Sequence, residues 1–366
     1  MEKDWDPHLA AQFVSALFEW KERSPRPLPW KGEKDPYLIW LSEIILQQTR
    51  VEQGLPYFER FRDRFPDVKA LASAADDEVY KLWEGLGYYS RARHLLETAR
   101  LIAGEYGGKF PETYAGLRAL KGVGPYTAAA IASFAFDLPY AVADGNVYRV
   151  LARVFGISTP VDTVEGKVLF QEWAQRLLPE DSSGAFNQAI MDFGALQCKP
   201  ASPACGQCPM QSFCAARRRG QVTAFPVKSK RMVRKARYFN YLVLNYGGQV
   251  LLRKRVEKDI WQNLHDFPLL ESSGESLKLG DIYTSPLWKR LTGGEIIEPL
   301  KSSPPFEQSL THQQIIARFW EFELQKPWES MENEYFTTER ENLYKFAFPK
   351  IVGWYLNDNS LYLELA

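Results

Sequence analysis

The chain has 366 residues, 45% of them hydrophobic, which excludes a disordered or fibrous protein and points to two domains, each able to bury its own core. Lys+Arg and Asp+Glu both number 45, so a uniformly basic nucleic-acid binder is excluded and any phosphate-binding surface has to be local. No apolar run approaches the roughly 20 residues that cross a bilayer.

The opening M-E-K-D-W-D lacks the basic-then-apolar order of a signal peptide, and the expectation is a soluble, cytoplasmic protein. Leu9, Phe13, Leu17 and Trp20 recur at helical steps, which predicts an amphipathic helix over residues 8–20. A loop rich in proline and basic residues runs from Arg23 to Lys31, with Arg26 in it and Trp30 in its L-P-W. Asp35-Pro36 then caps a helix, Tyr37 to Leu46, in which only Ser42 and Glu43 are polar. A helix with no polar face is buried. No Lys or Arg lies one turn either side of Glu43, and a buried carboxyl without a cation is pushed toward its protonated form, the condition a general acid needs. The alternative is a core glutamate hydrogen-bonded to backbone. Gln47-Gln48-Thr49-Arg50 ends the helix in uncharged amides. Residues 51–64 and 75–106 read as helices with short loops. Within them G-L-G-Y-Y-S-R-A-R (85–93) sets Tyr88 and Tyr89 beside two arginines, a combination suited to stacking on bases and holding phosphate. Tyr89 is expected in the core.

From Leu117 the chain predicts two helices joined by Gly122-Val123-Gly124. Gly124 is expected to take backbone angles closed to other residues, and Pro125 suits the first helical position. Such a turn aims backbone N–H groups outward at a helix N-terminus, a phosphate seat that needs no side chains. Asp144-Gly145-Asn146 opens the next helix, whose Val147, Val150, Leu151, Val154 and Phe155 share one face. Either Asp144 or Asn146 serves as its N-cap; with Asn146 in that role, Asp144 is free to point elsewhere. Helices follow over 166–178 and 184–195, the latter carrying Gln188. The chain's four cysteines are spaced Cys198-x6-Cys205-x2-Cys208-x5-Cys214. This argues for metal ligation over a secreted disulfide framework, with zinc or an iron–sulfur cluster as the occupant. Zinc ribbons usually use two C-x2-C knuckles and this loop has one; its wider loops suit the bulkier cluster.

Residues 217–237 hold nine Lys/Arg and no acid, reading as an interdomain linker that also attracts phosphate. The second domain begins near Arg237 with a β-hairpin, Y-F-N-Y-L-V-L-N-Y and Q-V-L-L-R-K-R around Gly247-Gly248. Residues 313–324 alternate like a strand, and the end of the chain reads as a helix interrupted near Pro349. Leu310-Thr311-His312 precedes that strand.

G-V-G-P-Y-T-A, followed twenty residues after Gly124 by Asp144, resembles the helix-hairpin-helix DNA glycosylases, and in wording the MutY-type adenine glycosylases. The resemblance implies a mainly α glycosylase domain of two helical lobes over 1–220, with an iron–sulfur loop at 198–214. A linker at 221–236 and an α+β Nudix-like domain at 237–366 complete it. It implies a monofunctional enzyme of base excision repair that removes adenine opposite 8-oxoguanine or guanine, acting as a monomer on double-stranded DNA. Glu43 and Asp144 would be the catalytic pair, with Tyr126 and Asn146 positioning; Tyr126 stands where strand-cutting relatives such as endonuclease III hold lysine. Arg26, Trp30 and Gln188 match pocket positions. Gln48, Thr49 and Tyr88 match residues inserted near the opposing base, and Gly122 and Gly124 the phosphate grip. Cys198, Cys205, Cys208 and Cys214 match the ligands of a [4Fe–4S] cluster. Nothing between 270 and 300 supplies the R-E-x-x-E-E of a Nudix hydrolase, so the second domain is expected to recognise the lesion through Thr311 and His312. Leu310 stands where the family has an aromatic. Two rivals are a thymine or uracil mismatch glycosylase and a non-catalytic iron–sulfur DNA-binding protein.

Overall fold

The structure, a computed structural model, describes residues 5–229, 234–274, 277–328 and 334–358. The chain divides into two compact units, residues 1–73 with 94–231 and residues 74–93 with 232–366. Part of the basic stretch, residues 230–233, lies outside the described residues.

The first part of the chain is helical: α1 (Pro7–Arg23), α2 (Pro36–Leu46), α3 (Val51–Arg64), α4 (Val68–Ala72), α5 (Asp76–Trp83), α6 (Ser90–Glu105), α7 (Tyr114–Ala119) and α8 (Pro125–Ala135). It continues through α9 (Gly145–Phe155), α10 (Val164–Leu177), α11 (Ser183–Leu196) and α12 (Ala215–Arg218). Side-chain caps start several of them: Asp6 for α1, Asp35 for α2, Thr113 for α7, Asp144 for α9 and Thr163 for α10. One core gathers Phe13 and Leu17 of α1, Val147, Val150 and Leu151 of α9, Phe170 of α10, and Phe186 and Phe193 of α11. Helix α8 packs against α2, α7 and α11. It can do so because Ala128, Ala129, Ala130 and Ala132 are buried and small. Helix α2 is buried along almost its whole length, as a sequence without a polar face requires.

The turn between α7 and α8 corrects one expectation. Gly122, not Gly124, is left-handed, at φ +75°, and a Cβ there would lie 2.7 Å from Cβ of His94. Gly124 is extended, at φ −77° and ψ 177°, because it is the N-cap of α8. The positive angle falls two residues past Leu120, the C-cap of α7, within the turn that leads to α8.

The second unit is built on an eight-stranded mixed sheet. Its strands are β1 (Lys235–Tyr246), β2 (Gln249–Lys254), β3 (His265–Asp266), β4 (Leu269–Ser272), β5 (Lys301–Ser302), β6 (Phe306–Ser309), β7 (Gln313–Glu323) and β8 (Tyr335–Glu339). β1 and β7 run parallel from Lys235 opposite Gln313 to Asn245 opposite Glu323, while the other pairings are antiparallel. Gly247 and Gly248 both have positive φ, as a two-residue hairpin turn demands. Two short helices, α13 (Leu279–Thr284) and α14 (Pro286–Thr292), bury Ile282, Trp288 and Leu291 with Leu242, Leu244 and Phe322. The chain end differs from the expected interrupted helix. Residues Arg340–Lys345 form a 3-10 turn, and only α15 (Lys350–Asn357), beginning after Pro349, is α-helical.

Candidate active site

A cavity of about 890 Å³ opens in the helical unit. Glu43 reaches it from the middle of α2, Tyr126 from the first turn of α8, Asp144 and Asn146 from the start of α9, and Gln188 from α11. Arg26 and Trp30 line it from the loop after α1, and Gln48 and Thr49 from the turn after α2. The structure thus gathers nine of the sequence-predicted residues around one space. Trp30 stands edge-on to Phe58, ring centroids 5.2 Å apart, so it is packed as well as cavity-facing. Gln48 is exposed and held at φ +55°, a conformation that a non-glycine residue rarely adopts.

The two central carboxyls differ in their surroundings. Glu43 is buried, and burial pushes its pKa up to about 7; a hydrogen bond with the Tyr126 hydroxyl opposes this and the Asp144 carboxylate adds to it. The Tyr126 hydroxyl oxygen also lies 3.4 Å from Met191 Sδ. Asp144, rather than Asn146, is the N-cap of α9. Its Oδ1 accepts the backbone N–H of Asn146 at 2.8 Å and of Val147 at 2.9 Å, and its Oδ2 accepts Asn146 Nδ2 at 2.7 Å. Capping and facing the cavity are therefore compatible. Burial also raises the pKa of Asp144, but those three donors and Arg149 work against the rise. Gly194 of α11 permits the arrangement, since a Cβ there would lie 2.7 Å from Cβ of Asn146.

Two clusters escaped sequence reasoning. Asp192, with no exposed side-chain surface, receives Lys21 at 2.5 Å, Lys31 at 2.6 Å and Arg26 at 3.3 Å. Burial would raise its pKa, yet the bonds from Lys21 and Lys31 hold it below the usual range; burial in turn lowers Lys31 to about 8. The other cluster is on α9. Arg149 donates to the carbonyls of Cys198 (2.7 Å), Gly145 (3.1 Å) and Gly194 (2.7 Å) and to Asn146 Oδ1 (2.8 Å). It thereby links the cysteine loop to the residue that holds Asp144. Arg153, also buried, donates to the carbonyls of Lys199, Pro200, Val222 and Phe225 and to Cys198 Sγ at 3.4 Å. The one sequence signal was a pair of arginines four apart on a helix whose neighbours are core residues.

The four cysteines are half-buried and line a cavity of about 20 Å³. Burial lifts Cys208 to about 11, and each of the other three cysteines pushes it further in the same direction. Four thiols that perturb one another in this way need a polyvalent positive centre to become thiolates together. Four cysteines around one small space are the donor set of a four-thiolate metal centre.

In the second unit Tyr88, 45% exposed and at φ +50°, shares a 2.6 Å hydrogen bond with Thr311 Oγ1. The two residues singled out separately for the lesion thus touch. The loop is held by its backbone: the Leu310 carbonyl accepts Arg234 Nε and the His312 carbonyl accepts Lys235 N, leaving the His312 side chain exposed.

Residues 41–175 match the HhH-GPD superfamily base excision DNA repair proteins, and residues 240–357 match the NUDIX domain. The adenine DNA glycosylase of Buchnera aphidicola subsp. Schizaphis graminum is 36% identical over 73% of this chain and 77% of its own length. That of Homo sapiens is 44% identical over 57% of this chain and 40% of its own length. Among solved structures, a thermostable thymine-DNA glycosylase is 30% identical, with a TM-score of 0.54 over 58% of this chain and 98% of that one. A non-covalent endonuclease III–DNA complex, 21% identical with a TM-score of 0.50, shares the fold over 58% of this chain and 97% of that one.

Proposed function

The chain belongs to the adenine DNA glycosylase family, and on that premise we propose that it hydrolyses the N-glycosidic bond of adenine mispaired with 8-oxoguanine or guanine, without cutting the strand. It is a DNA glycosylase of base excision repair. The observation that carries the finer reading is Glu43: a buried acid poised near neutrality, facing the same cavity as a carboxylate held by three donors.

Adenine leaves the duplex and enters the cavity, where Arg26, Trp30 and Gln188 surround it. Glu43 gives its proton to N7, so the bond from C1′ to the base breaks with the electron pair going to a neutral leaving group. Asp144, ionised, stabilises the positive charge that develops on the sugar; Tyr126 and Asn146 hold the reacting groups. Water then adds to C1′ and loses a proton. Tyr126 offers no amine for a Schiff base, which supports hydrolysis without lyase chemistry. The N-terminus of α8 after Gly122 and Gly124 receives a backbone phosphate. Gln48 and Thr49 fill the vacated stack, and Tyr88, Thr311 and His312 read the base opposite. Cys198, Cys205, Cys208 and Cys214 would hold a [4Fe–4S] cluster, whose part would be structural, ordering the loop before Arg217–Arg219. In this reading residues 1–220 catalyse, 221–236 link and 237–366 recognise; the protein acts as a cytoplasmic monomer.

Incubation with duplexes carrying A opposite 8-oxoguanine, A opposite G, and T opposite G, then alkali cleavage, tests the reading. Strand breaks at adenine in the first two, and none before alkali, are expected. Preferential breakage at thymine would replace it with the mismatch-thymine alternative. A colourless protein carrying one zinc, in place of a brown one with a band at about 400 nm, would overturn the cluster assignment.

A further inference from the structure

We propose that Asp192 is a positioning residue for the base-binding cavity: its buried carboxylate pins Arg26 and Lys21 to the cavity wall and so sets affinity for the extruded base. The inference rests on the adenine reading above and extends it to a residue that touches no substrate.

Between α1 and α2 the chain has no regular structure, and its turn is closed by few backbone bonds, such as Lys31 N to Leu28 O at 3.0 Å. Such a segment does not fix where its long side chains go. Asp192 does, by receiving Arg26 and Lys31 from the loop and Lys21 from the last turn of α1. The carboxylate belongs to α11, a rigid helix, one turn beyond Gln188 and hence on the same face. Arg26, Lys21, Gln188 and Asp192 all border the same cavity. The cluster contains three cations and one anion. Without the anion, the cations repel one another, and Arg26 and Lys21, whose side chains are 22% and 27% exposed, have open routes to solvent. Both oxygens of Asp192 are already engaged, Oδ2 by two ammonium groups and Oδ1 by the guanidinium. It therefore acts through Arg26 and Lys21 rather than on the base.

The test compares binding to two duplexes, each opposite 8-oxoguanine. One carries 2′-fluoro-2′-deoxyadenosine, which keeps the base but resists excision; the other carries a tetrahydrofuran abasic analogue, which leaves the cavity without a base. Asp192→Asn should weaken binding to the first by about tenfold, the scale of one hydrogen bond to a charged group, and leave the second within about twofold. Arg26→Ala should do the same, and the double variant should lose less than the two single losses multiplied together, because both share the Asp192–Arg26 contact. Asp192→Glu keeps the charge and shifts it by one methylene; it should show the same selectivity with a smaller loss, and it serves if Asp192→Asn fails to fold. A merely structural Asp192 lowers both affinities together, or only the active fraction, and that result overturns the proposal. So does a double variant in which the losses multiply. If the wild-type protein itself binds the two duplexes equally, the adenine reading fails; if it discriminates and the Asp192 variants discriminate as well, only this proposal fails.

Discussion

The helical unit and the sheet unit each bury a carboxylate, and their treatment of it is opposite. Asp266, on β3, has no exposed surface and sits between Arg253 at 2.9 Å and Arg255 at 2.7 Å. Glu43, on α2, has a phenol and another carboxyl as its electrostatic neighbours, and it borders a cavity. A paired buried acid is part of the framework: removing it strands the arginines. An unpaired one beside a cavity is costly to the fold, and in the proposed reaction it supplies the proton. Burial raises both pKa values, yet only at Glu43 do no arginines counter it. Both acids are buried and differ in their partners, and it is the partner set that underlies the different roles proposed for them.

The largest expected effect that sharpens this contrast is on chemistry. Glu43→Gln should slow adenine release by about 10²-fold or more, the usual range for a lost general acid, while duplex affinity stays close to wild type. Single-turnover excision against titrated binding measures both; near-normal excision would put Glu43 with Asp266 in the framework class. Next comes stability. Asp266→Asn should cost about 3 kcal/mol in urea unfolding, followed at the sheet unit, because buried Arg255 keeps only the longer contact to Asp259 at 3.4 Å. Glu43→Gln should go the other way. The folded pKa of about 7 lies above the ordinary 4.5, so the folded state binds the extra proton and stability falls as pH rises between those values. At pH 8 the variant should therefore exceed wild type by up to about 3 kcal/mol, and by little at pH 4. A pH-independent difference would mean that Glu43 is not desolvated as described.

Smaller effects probe what holds each site. Arg149→Gln removes bonds to Cys198, Gly145, Gly194 and Asn146 together, leaving buried carbonyls at about 1–3 kcal/mol each before relaxation. Both the visible absorption per chain and the excision rate should fall, where a purely local role would spare one of them. Least of all, Tyr88→Phe should lose about 1 kcal/mol on an 8-oxoguanine duplex by removing the hydroxyl bonded to Thr311. Equal losses on a guanine duplex would separate that bond from lesion reading.

Legibility in the sequence followed the range of the interaction. Helix α2 and its buried Glu43 were readable because ten neighbouring residues carry the pattern, and the β1–β2 hairpin because two adjacent glycines mark its turn. Helices α13 and α14 went unread: each is short, and Ser285-Pro286 between them reads as a turn. Strand β8 also went unread, since Y-F-T-T-E is too brief to show a period. The choice between Gly122 and Gly124 depended on which one lies within the turn and which one caps α8, a matter of one or two residues. Asp192 is separated by 161 or more residues from each cation it holds, and no local spacing announces it. The grouping of residues 74–93 with the sheet unit was equally invisible, since its bonds, such as Asn263 to the Tyr80 hydroxyl and Phe348 N to Glu84, join distant stretches.

The most direct test of Glu43 as the proton donor is the pH dependence of single-turnover excision at subsaturating protein, which reports the free enzyme. The proton on Glu43 is present below its pKa of about 7 and lost above it. Adenine release from the 8-oxoguanine duplex should therefore fall tenfold per pH unit on the alkaline side of about pH 7, with a separate decline at low pH as Asp144 becomes protonated. A rate that stays level from pH 6 to about pH 9, with binding unchanged over the same range, would contradict the assignment of Glu43 as the acid.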